Sequence, residues 1–410
     1  MNIRSIVTVR LRELEWSTLI YVLLLSATGL LAIYSIEAQH ASSAGYFVRQ
    51  SVWVVMGLGL FFLAYLVPRK VIHNLTYPAY GASIVLLLIP IALKDSGAVS
   101  RWISIGSFGI QPSEFMKIFL LLALAKYFAD HKRRLSTIKE LMTPVAMTLG
   151  PTILVLIQPD LGTALVYFGI LIVIIFWAGI TPLYFFLLLA PVVSMLAAFQ
   201  TLSFFIWMGL IILILYFSNL PFWTKVFNFS INIVLGGLTN LLWALLKPYQ
   251  QQRILSLIDS ESDPLGAGYQ VSQSLTAFGA GGPFGKGLGQ GTQTHLKFLP
   301  EQHTDFIMTV IGEEFGFIAV LLVLTLFYLL IARLITQAYN SKFRFDSVIL
   351  IGVATILVFH VFVNMGMIVG IMPVTGIPLP FISYGGSFMI TCMIMAGLSA
   401  NMSSVRRAVG

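Results

Sequence analysis

A carboxylate beside a proline and two glycines is the first candidate for chemistry in this chain of 410 residues. Asp263 is followed by Pro264, which disfavours a helical conformation at the residue before it. Gly266 and Gly268 let the backbone turn sharply close to the carboxylate. An Asp side chain held in this way can act as a general base, although an Asp-Pro turn without chemistry is the alternative.

Earlier polar segments supply two cations and two further carboxylates. Arg101 precedes Trp102, and Glu114 and Lys117 are three positions apart, which places them on one face of a helix. An ion pair between Glu114 and Lys117 is the simpler interpretation. In the functional interpretation, Arg101 and Lys117 are the cations that bind a diphosphate near the lipid headgroups. Asp160, between two apolar segments, could cap the helix that follows it.

A third polar group stands at the start of a long apolar segment near residue 306. His303, Thr304 and Asp305 precede this segment, and Thr304 or Asp305 could serve as the N-cap of its helix. Capping does not account for Glu313 and Glu314, which follow within the same segment. Carboxylates buried at that depth in a membrane are costly, so they are usually functional or paired.

Together these residues suit glycosyl transfer from a lipid diphosphate. The diphosphate is already a good leaving group and needs positive charge nearby rather than a strong acid. One carboxylate can take the proton of the attacking hydroxyl. The chain has no Ser-His-Asp order and no metalloprotease helix. Composition by itself favours a generic solute transporter over this hypothesis.

The glycine run at residues 279–291 looks at first like a nucleotide-binding loop. Lys286, however, is followed by Gly287 rather than by Ser or Thr, and no buried strand precedes the run. We therefore interpret it as a tight, flexible connection close to the membrane or a ligand.

The elements that must position these residues are membrane-spanning helices. Apolar residues make up 58% of the chain and charged residues 10%, which is too little charge to cover a soluble protein of this length. Apolar runs near 20 residues long recur along the chain, and this length crosses a bilayer core of about 30 Å. About twelve spans are predicted, at residues 17–36, 51–67, 77–93, 115–129, 141–158, 164–180, 182–199, 202–220, 226–246, 315–334, 347–371 and 384–401. The expected fold is an all-α polytopic membrane protein with a single domain over residues 1–410.

The basic residues indicate how these spans are oriented. The net charge of +8 comes from Lys and Arg in short loops between apolar runs, a pattern that sets membrane orientation and does not indicate nucleic-acid binding. Both termini are then cytoplasmic, and the long loop at residues 247–306 is extracytoplasmic. Loops of this length are usually functional or disordered, and residues 269–280 within it could form an interfacial helix. The single cysteine, Cys392, excludes an intrachain disulfide and a cysteine metal cluster.

Several short motifs resemble the SEDS family (shape, elongation, division and sporulation) and follow the family's order over nearly the whole chain. They are Arg101-Trp102, Gln111-Pro-Ser-Glu-Phe-Met-Lys117, Gln158-Pro-Asp-Leu-Gly-Thr163, Asp263-Pro-Leu-Gly-Ala-Gly-Tyr-Gln270, Gln273-Ser274, Phe298-Leu-Pro-Glu-Gln-His-Thr-Asp-Phe306, Gly312-Glu-Glu-Phe-Gly316 and Pro378-Leu-Pro-Phe-Ile-Ser-Tyr-Gly-Gly-Ser387. Asn364-Met-Gly-Met and Ile371-Met-Pro-Val-Thr-Gly resemble the elongation-type branch more than the division-type branch.

The resemblance implies a peptidoglycan glycosyltransferase that polymerises lipid II at the outer face of the bacterial cytoplasmic membrane. It also implies a class B penicillin-binding protein as the transpeptidase partner. Asp263 matches the family's essential aspartate, which implies that it deprotonates the 4-hydroxyl of an N-acetylglucosamine. That oxygen would attack C1 of the lipid-linked N-acetylmuramic acid with inversion and release undecaprenyl diphosphate.

The same resemblance implies a set of substrate- or diphosphate-binding residues without individual roles. The set is Arg101, Lys117, Glu114, Gln111, Asp160, Gln273, Ser274, His303, Thr304, Asp305, Glu314 and Ser383. Four of these carboxylates are also candidates for holding a divalent cation, Mg²⁺ or Mn²⁺: Glu114, Asp160, Asp305 and Glu314.

The predicted span count departs from the family, which usually has ten. We interpret residues 181–246 as a two-helix insertion, which keeps the parity and leaves residues 247–306 as an extracytoplasmic catalytic loop. Four functions remain as alternatives: a lipid II flippase, a division-type polymerase, a non-catalytic scaffold for cell-wall enzymes and a solute transporter.

Overall fold

The protein is built from helices, and each of the twelve predicted spans coincides largely with helical structure. The computed structural model describes residues 13–39, 45–93, 101–105, 108–131, 138–246, 267–295 and 301–404, together with residues 251 and 255. The helices up to residue 245 are α1 (Trp16–Gln39), α2 (Tyr46–Leu66), α3 (Arg69–Ala92), α4 (Pro112–Asp130), α5 (Ile138–Ile157), α6 (Leu161–Trp177), α7 (Pro182–Ala197), α8 (Thr201–Phe217), α9 (Phe222–Gly237) and α10 (Thr239–Leu245). The later ones are α11 (Ala267–Ala280), α12 (Thr292–His295), α13 (Ile307–Asn340), α14 (Arg344–Ile368) and α15 (Gly386–Ser403).

Long apolar runs form helices because a helix satisfies its own backbone hydrogen bonds in lipid. In the part of the chain that the structure describes, seven helices are long and apolar enough to cross a membrane, and α6, α7 and α8 are shorter apolar helices. Helix α4 differs because it carries charged side chains in its first turns, at Glu114 and Lys117. It is nevertheless buried along most of its length, so its neighbours must accommodate those charges.

The core of the bundle lies around α4, α14 and α15, whose side chains are mostly buried. Small residues allow α15 to approach α2 closely. A Cβ atom at Gly397 would lie 2.3 Å from the backbone oxygen of Phe61, and one at Gly57 would lie 2.7 Å from the Met393 side chain. The close contact extends to the start of α15, where a Cβ atom at Gly386 would lie 2.3 Å from the Trp53 ring of α2.

Helices α7, α8 and α9 have a small apolar cluster of their own, separate from the main core. It is formed by Leu187, Ala190, Met208, Ile211 and Leu215. A buried hydrogen bond of 2.5 Å from Ser194 to Asn232 joins α7 to α9. These helices occupy the segment predicted as a two-helix insertion, and the insertion itself stays a prediction.

Helix α13 begins at Ile307 and is interrupted at Gly316, where φ is 80°. Its N-cap is Phe306, without a side-chain cap, so the prediction that Thr304 or Asp305 caps this helix is wrong. The reason is a turn before the helix, in which the backbone N–H groups of Thr304 and Asp305 both donate to the Glu301 carbonyl at 3.1 Å. This turn moves the start of the helix beyond both side chains.

The predicted extracytoplasmic loop contains helices in its described part. The predicted interfacial helix at residues 269–280 coincides with α11. Residues 281–291 then lead to the single turn of α12. Asp263 lies outside the described residues.

A short hairpin precedes α4. Strands β1 (Ile103–Ile105) and β2 (Phe108–Ile110) pair antiparallel, with Ile103 opposite Ile110. The hairpin follows Arg101 and Trp102 directly, and it therefore links these two residues to the first turn of α4.

Candidate functional site

A cleft of about 520 Å³ opens where α2, α13 and α15 begin, beside the hairpin. The side chains that give it chemical character are Arg49, Trp53, Trp102, His303, Thr304 and Tyr384. A second cavity of about 310 Å³ near α6, α7 and α8 is apolar and offers no group for catalysis. The polar cleft is the better candidate because a few polar groups in a concave, partly apolar site are typical of ligand-binding pockets.

Aromatic rings form one wall of the cleft. The His303 and Tyr46 rings are stacked with their centroids 4.8 Å apart, and Tyr384 lies 4.8 Å from Tyr46. The backbone N–H of Tyr384 donates to the His303 carbonyl at 2.9 Å. Burial lowers the pKa of His303 from its ordinary value of 6.5, and nearby Glu301 offsets only part of this effect. His303 is therefore neutral at pH 7, with one ring nitrogen able to donate and the other able to accept.

Ser383 lies behind this wall and holds it in place. Its hydroxyl donates to the Thr304 carbonyl at 2.6 Å and accepts from the Leu379 N–H at 2.8 Å. The Gln50 side chain donates to the Ser383 carbonyl at 3.2 Å and accepts from the Gly385 N–H at 3.1 Å. Ser383 is fully buried, and its predicted contact with substrate stays a prediction.

Arg101 is bound to the turn between α5 and α6. Its guanidinium donates to the Gln158 carbonyl at 2.9 Å and also to the Pro159 carbonyl. The ring of its neighbour Trp102 is half exposed and lies over Gly109, where a Cβ atom would be 3.2 Å from it. The hairpin thus places Trp102 in the cleft, whereas the guanidinium of Arg101 is held by the α5–α6 turn.

Asp160 has the capping role that the sequence predicts. It is the N-cap of α6, and its carboxylate accepts from the N–H and the hydroxyl of Thr163 at 3.1 and 2.9 Å. The same carboxylate accepts from the Gln111 side chain at 3.1 Å. Asp160 and Gln111 therefore join the start of α6 to the start of α4.

Glu114 and Lys117 form the predicted ion pair, at 2.7 Å, and both side chains are buried. The Lys117 ammonium also lies 3.3 Å from Nε2 of His360 and 5.3 Å from the centre of the Phe388 ring. The other His360 nitrogen lies 2.9 Å from the Pro378 carbonyl. A diphosphate contact with Lys117 stays a prediction, and it would require this closed cluster to open.

The remaining predicted residues lie on α11, in the first turns of α13 and in the turn just before it. The Ser274 hydroxyl hydrogen-bonds with that of Thr309 at 2.8 Å, and Gln273 is half-buried next to it on α11. The Glu314 carboxylate accepts from Ser35 of α1 at 2.8 Å. The carbonyl of Asp305 accepts from the Asn364 side chain at 2.9 Å. These contacts tie the start of α13 to three other helices.

The described residues do not support a metal site. Among them, no group of three or more His, Cys, Asp or Glu side chains could hold a metal ion. Three of the four carboxylates predicted as ligands have separate partners: Glu114 has Lys117, Asp160 has Gln111 and Glu314 has Ser35.

The sequence did not single out Tyr46, Arg49 or Trp53, although all three belong to the cleft or its wall. The sequence feature that could have pointed to them is a cation between aromatic residues at the start of α2, directly after a polar segment. That signal is weak on its own, because only the fold brings α2 to His303, more than 250 positions later.

Comparisons with known proteins agree with this architecture. A model of the cell cycle protein family FtsW/RodA/SpoVE matches residues 15–206 and 192–408. Peptidoglycan glycosyltransferase RodA of Treponema pallidum is 34% identical, over 96% of this chain and 98% of its own. Peptidoglycan glycosyltransferase MrdB of Escherichia coli K12 is 35% identical, over 95% and 93%.

Solved structures match over a similar extent. A chain from a study of how a peptidoglycan synthase complex coordinates polymerization and crosslinking superposes with a TM-score of 0.71 at 30% identity, covering 95% of this chain and 97% of its own. The rod shape determining protein RodA of Thermus thermophilus superposes with a TM-score of 0.61 at 27% identity, covering 95% and 96%.

Proposed function

We infer that this chain, which belongs to the FtsW/RodA/SpoVE family, polymerises lipid II at the outer face of the bacterial cytoplasmic membrane. It is a peptidoglycan glycosyltransferase of the RodA type and a multi-pass membrane protein. The observation that carries the finer proposal is the cleft at the starts of α2, α13 and α15, which combines aromatic rings with a cation.

The cleft suits a sugar linked to a diphosphate. Trp53, Trp102 and Tyr384 offer aromatic surface, and such side chains combine a large apolar body with a polar group. Arg49 is exposed on the same cleft, and a guanidinium can bind phosphate oxygens in a bidentate manner. We assign Arg49, together with Arg101, the residue before Trp102 in the chain, to the diphosphate. Neutral His303 is placed to hydrogen-bond with sugar hydroxyls.

Asp263 is the proposed general base. Its carboxylate takes the proton from the 4-hydroxyl of the acceptor N-acetylglucosamine, and that oxygen attacks C1 of the lipid-linked N-acetylmuramic acid. The bond from C1 to the diphosphate oxygen breaks with inversion, and undecaprenyl diphosphate leaves with the electron pair. Cations at the diphosphate stabilise the charge that develops on the leaving group. A divalent cation stays a prediction.

A class B penicillin-binding protein is the proposed partner, supplying transpeptidation. Support comes from the similarity to a chain in a peptidoglycan synthase complex that couples polymerization with crosslinking. Cytoplasmic termini and an extracytoplasmic active face belong to the same proposal. They rest on the loops rich in Lys and Arg, which all fall on one side of the predicted topology. Such loops stay in the cytoplasm.

The test is polymerisation of labelled lipid II by the purified chain with its penicillin-binding partner. We expect Asp263→Ala to lower the rate by about 10²–10⁴-fold, the usual contribution of a general base. Asp259→Ala, a carboxylate four positions earlier, is the matched control and should retain activity. Equal polymer from both variants would sink the assignment of the base.

The same variants separate the enzyme from a lipid II flippase. A flippase would use the same lipid and cations but would not need a base in an outer loop, so Asp263→Ala would leave transport of labelled lipid II across vesicles unchanged. A wild-type chain that transports lipid II but makes no polymer would favour the flippase.

A further inference from the structure

The glycine run at residues 279–291 is bound, backbone to backbone, to the break in α13. Four hydrogen bonds join the two segments: Lys286 N–H to Glu313 O (3.0 Å), Gly287 N–H to Glu314 O (2.9 Å), Phe317 N–H to Gly282 O (2.9 Å) and Ile318 N–H to Pro283 O (3.1 Å). The interruption at Gly316 is what frees the backbone groups of α13 for this pairing. The run is thus docked on the helix, whereas its composition predicts only a flexible connection.

Glycines stand at the points of closest approach. A Cβ atom at Gly281 would lie 2.0 Å from the Gly312 oxygen, and one at Gly285 would lie 2.1 Å from the Glu314 oxygen. Neither distance can accommodate a side chain against backbone atoms. The glycines therefore allow the two segments to interlock.

The Glu313 carboxylate lies at the centre of this interlock, and its side chain is fully buried. Lys286 forms an ion pair with it at 3.0 Å. The backbone N–H groups of Thr292, Gln293 and Thr294 donate to it at 2.7, 2.9 and 3.0 Å. A buried carboxylate is costly unless it is paired and hydrogen-bonded, and here one side chain binds both ends of the segment from Lys286 to α12.

Helix α11 is held by the same part of α13. Its Ser274 hydroxyl hydrogen-bonds with Thr309 at 2.8 Å. The Phe278 ring lies so close to Gly312 that a Cβ atom there would be 2.8 Å from it. Helix α11 and the glycine run therefore both bind to residues 309–318 of α13, the segment that includes the break at Gly316.

We propose that Glu313 is a positioning residue of the polymerase: it locks the glycine run on the break in α13 and so helps to hold α11, the helix that follows the proposed base Asp263 in the sequence. Asp263 is only four residues before the first residue of α11, a reach of at most about 14 Å. We therefore expect a loosened α11 to misplace the base, and a misplacement of about 1 Å can cost about 10²-fold in rate. The inference rests on the proposed function for its catalytic part.

The experiment combines hydrogen exchange with kinetics on the full chain in complex with its penicillin-binding partner. In Glu313→Gln, the side-chain NH₂ replaces one acceptor oxygen and faces backbone donors. We expect faster exchange of the amides of residues 286–287 and 292–294, and a fall in kcat of about ten-fold or more at nearly unchanged KM for lipid II. The polymerisation rates of the wild type and the variant are expressed per mole of monodisperse, folded protein. A variant that only folds less well would therefore show an unchanged kcat.

Two further variants keep the test sharp. Lys286→Met removes the ion-pair partner of Glu313 but leaves the three backbone N–H groups that donate to its carboxylate. We therefore expect a smaller increase in amide exchange and a smaller fall in kcat. Asp130→Asn removes a carboxylate from a more exposed ion pair with His73 at the other end of α4, and it should match the wild type in exchange and kcat.

The outcomes are distinguishable. Unchanged exchange in Glu313→Gln would overturn the clamp, and faster exchange with unchanged kcat would overturn its role in positioning while the proposed function stands. A wild-type chain that makes no polymer would sink the proposed function and the catalytic part of this inference with it, whereas the exchange data would still judge the clamp.

Discussion

Lys117 and Glu114 form a buried ion pair in which each charge depends on the other. Their ion pair of 2.7 Å is closed off from solvent, with His360 completing the contacts of the ammonium. A charge in such a place is tolerated because its partner is present. The pair therefore acts as a unit, and either residue alone would be a buried, uncompensated charge.

A double-mutant cycle tests this dependence. We expect Lys117→Met to destabilise the chain by about 3–5 kcal/mol, the usual cost of removing one partner from a buried pair. Glu114→Gln combined with Lys117→Met should recover much of that loss, since no charge is left unpaired. The measurement is thermal unfolding of the purified chain in detergent. Losses that simply add in the double variant would contradict the coupling.

Local rules explain which site contacts the sequence could predict. The Glu114–Lys117 pair and the Asp160 cap were predicted and are confirmed, because each depends on a spacing of three residues. The Lys286–Glu313 pair spans 27 positions and depends on the route of the glycine run, which no local spacing encodes. The predicted cap of α13 failed because the turn at Glu301 competes with it.

Helix α13 shows the same limit at the level of elements. Its apolar run predicts a span, and the helix is present, but the interruption at Gly316 is invisible in that pattern. The conformation at Gly316 has φ 80°, which glycine adopts without strain and other residues do not. The break also exposes the backbone groups that bind the glycine run. It therefore depends on tertiary contacts, which the local sequence pattern does not report.

Replacing Gly316 tests the importance of this break. We expect Gly316→Ala to lower stability by at least about 1–3 kcal/mol, the cost of a non-glycine residue in this region. The added Cβ would also lie 2.3 Å from the Gly285 nitrogen. Thermal unfolding in detergent is the measurement. Gly59→Ala is the matched control, since that glycine lies within α2 with open space around it; equal stability of the two variants would contradict the argument.

The span predictions succeeded because hydropathy and length report directly on the lipid environment. Even the stretch with short, nearly uncharged loops, residues 182–246, was divided in agreement with α7, α8 and the pair α9–α10. The cleft could not be predicted in the same way. It requires the starts of α2, α13 and α15 to meet, and hydropathy contains no information on which helices are neighbours.

Contacts across the whole molecule support an even number of crossings between the two halves of the chain. Arg344, at the start of α14, donates to the carbonyl of Ala178 after α6 at 2.8 Å, and both are predicted to be cytoplasmic. Gln50, at the start of α2, donates to the carbonyl of Ser383 at 3.2 Å, and both are predicted to be extracytoplasmic. Residues predicted on one side therefore meet residues predicted on that same side.

The direction of the whole bundle is the property on which the proposed reaction depends, because the proposal places the polymerisation of lipid II outside the cell. Gln290 is exposed in the glycine run, and Lys342 is exposed between α13 and α14, at opposite ends of α13. The native Cys392 is buried, so it gives little background labelling. We expect Gln290→Cys to react with a membrane-impermeant maleimide in intact cells, and Lys342→Cys to react only after permeabilisation. The opposite pattern would place the cleft in the cytoplasm. The basic loops would then lie outside the cell, against the rule that loops rich in Lys and Arg stay in the cytoplasm. The proposed reaction could then not take place at the outer face of the membrane.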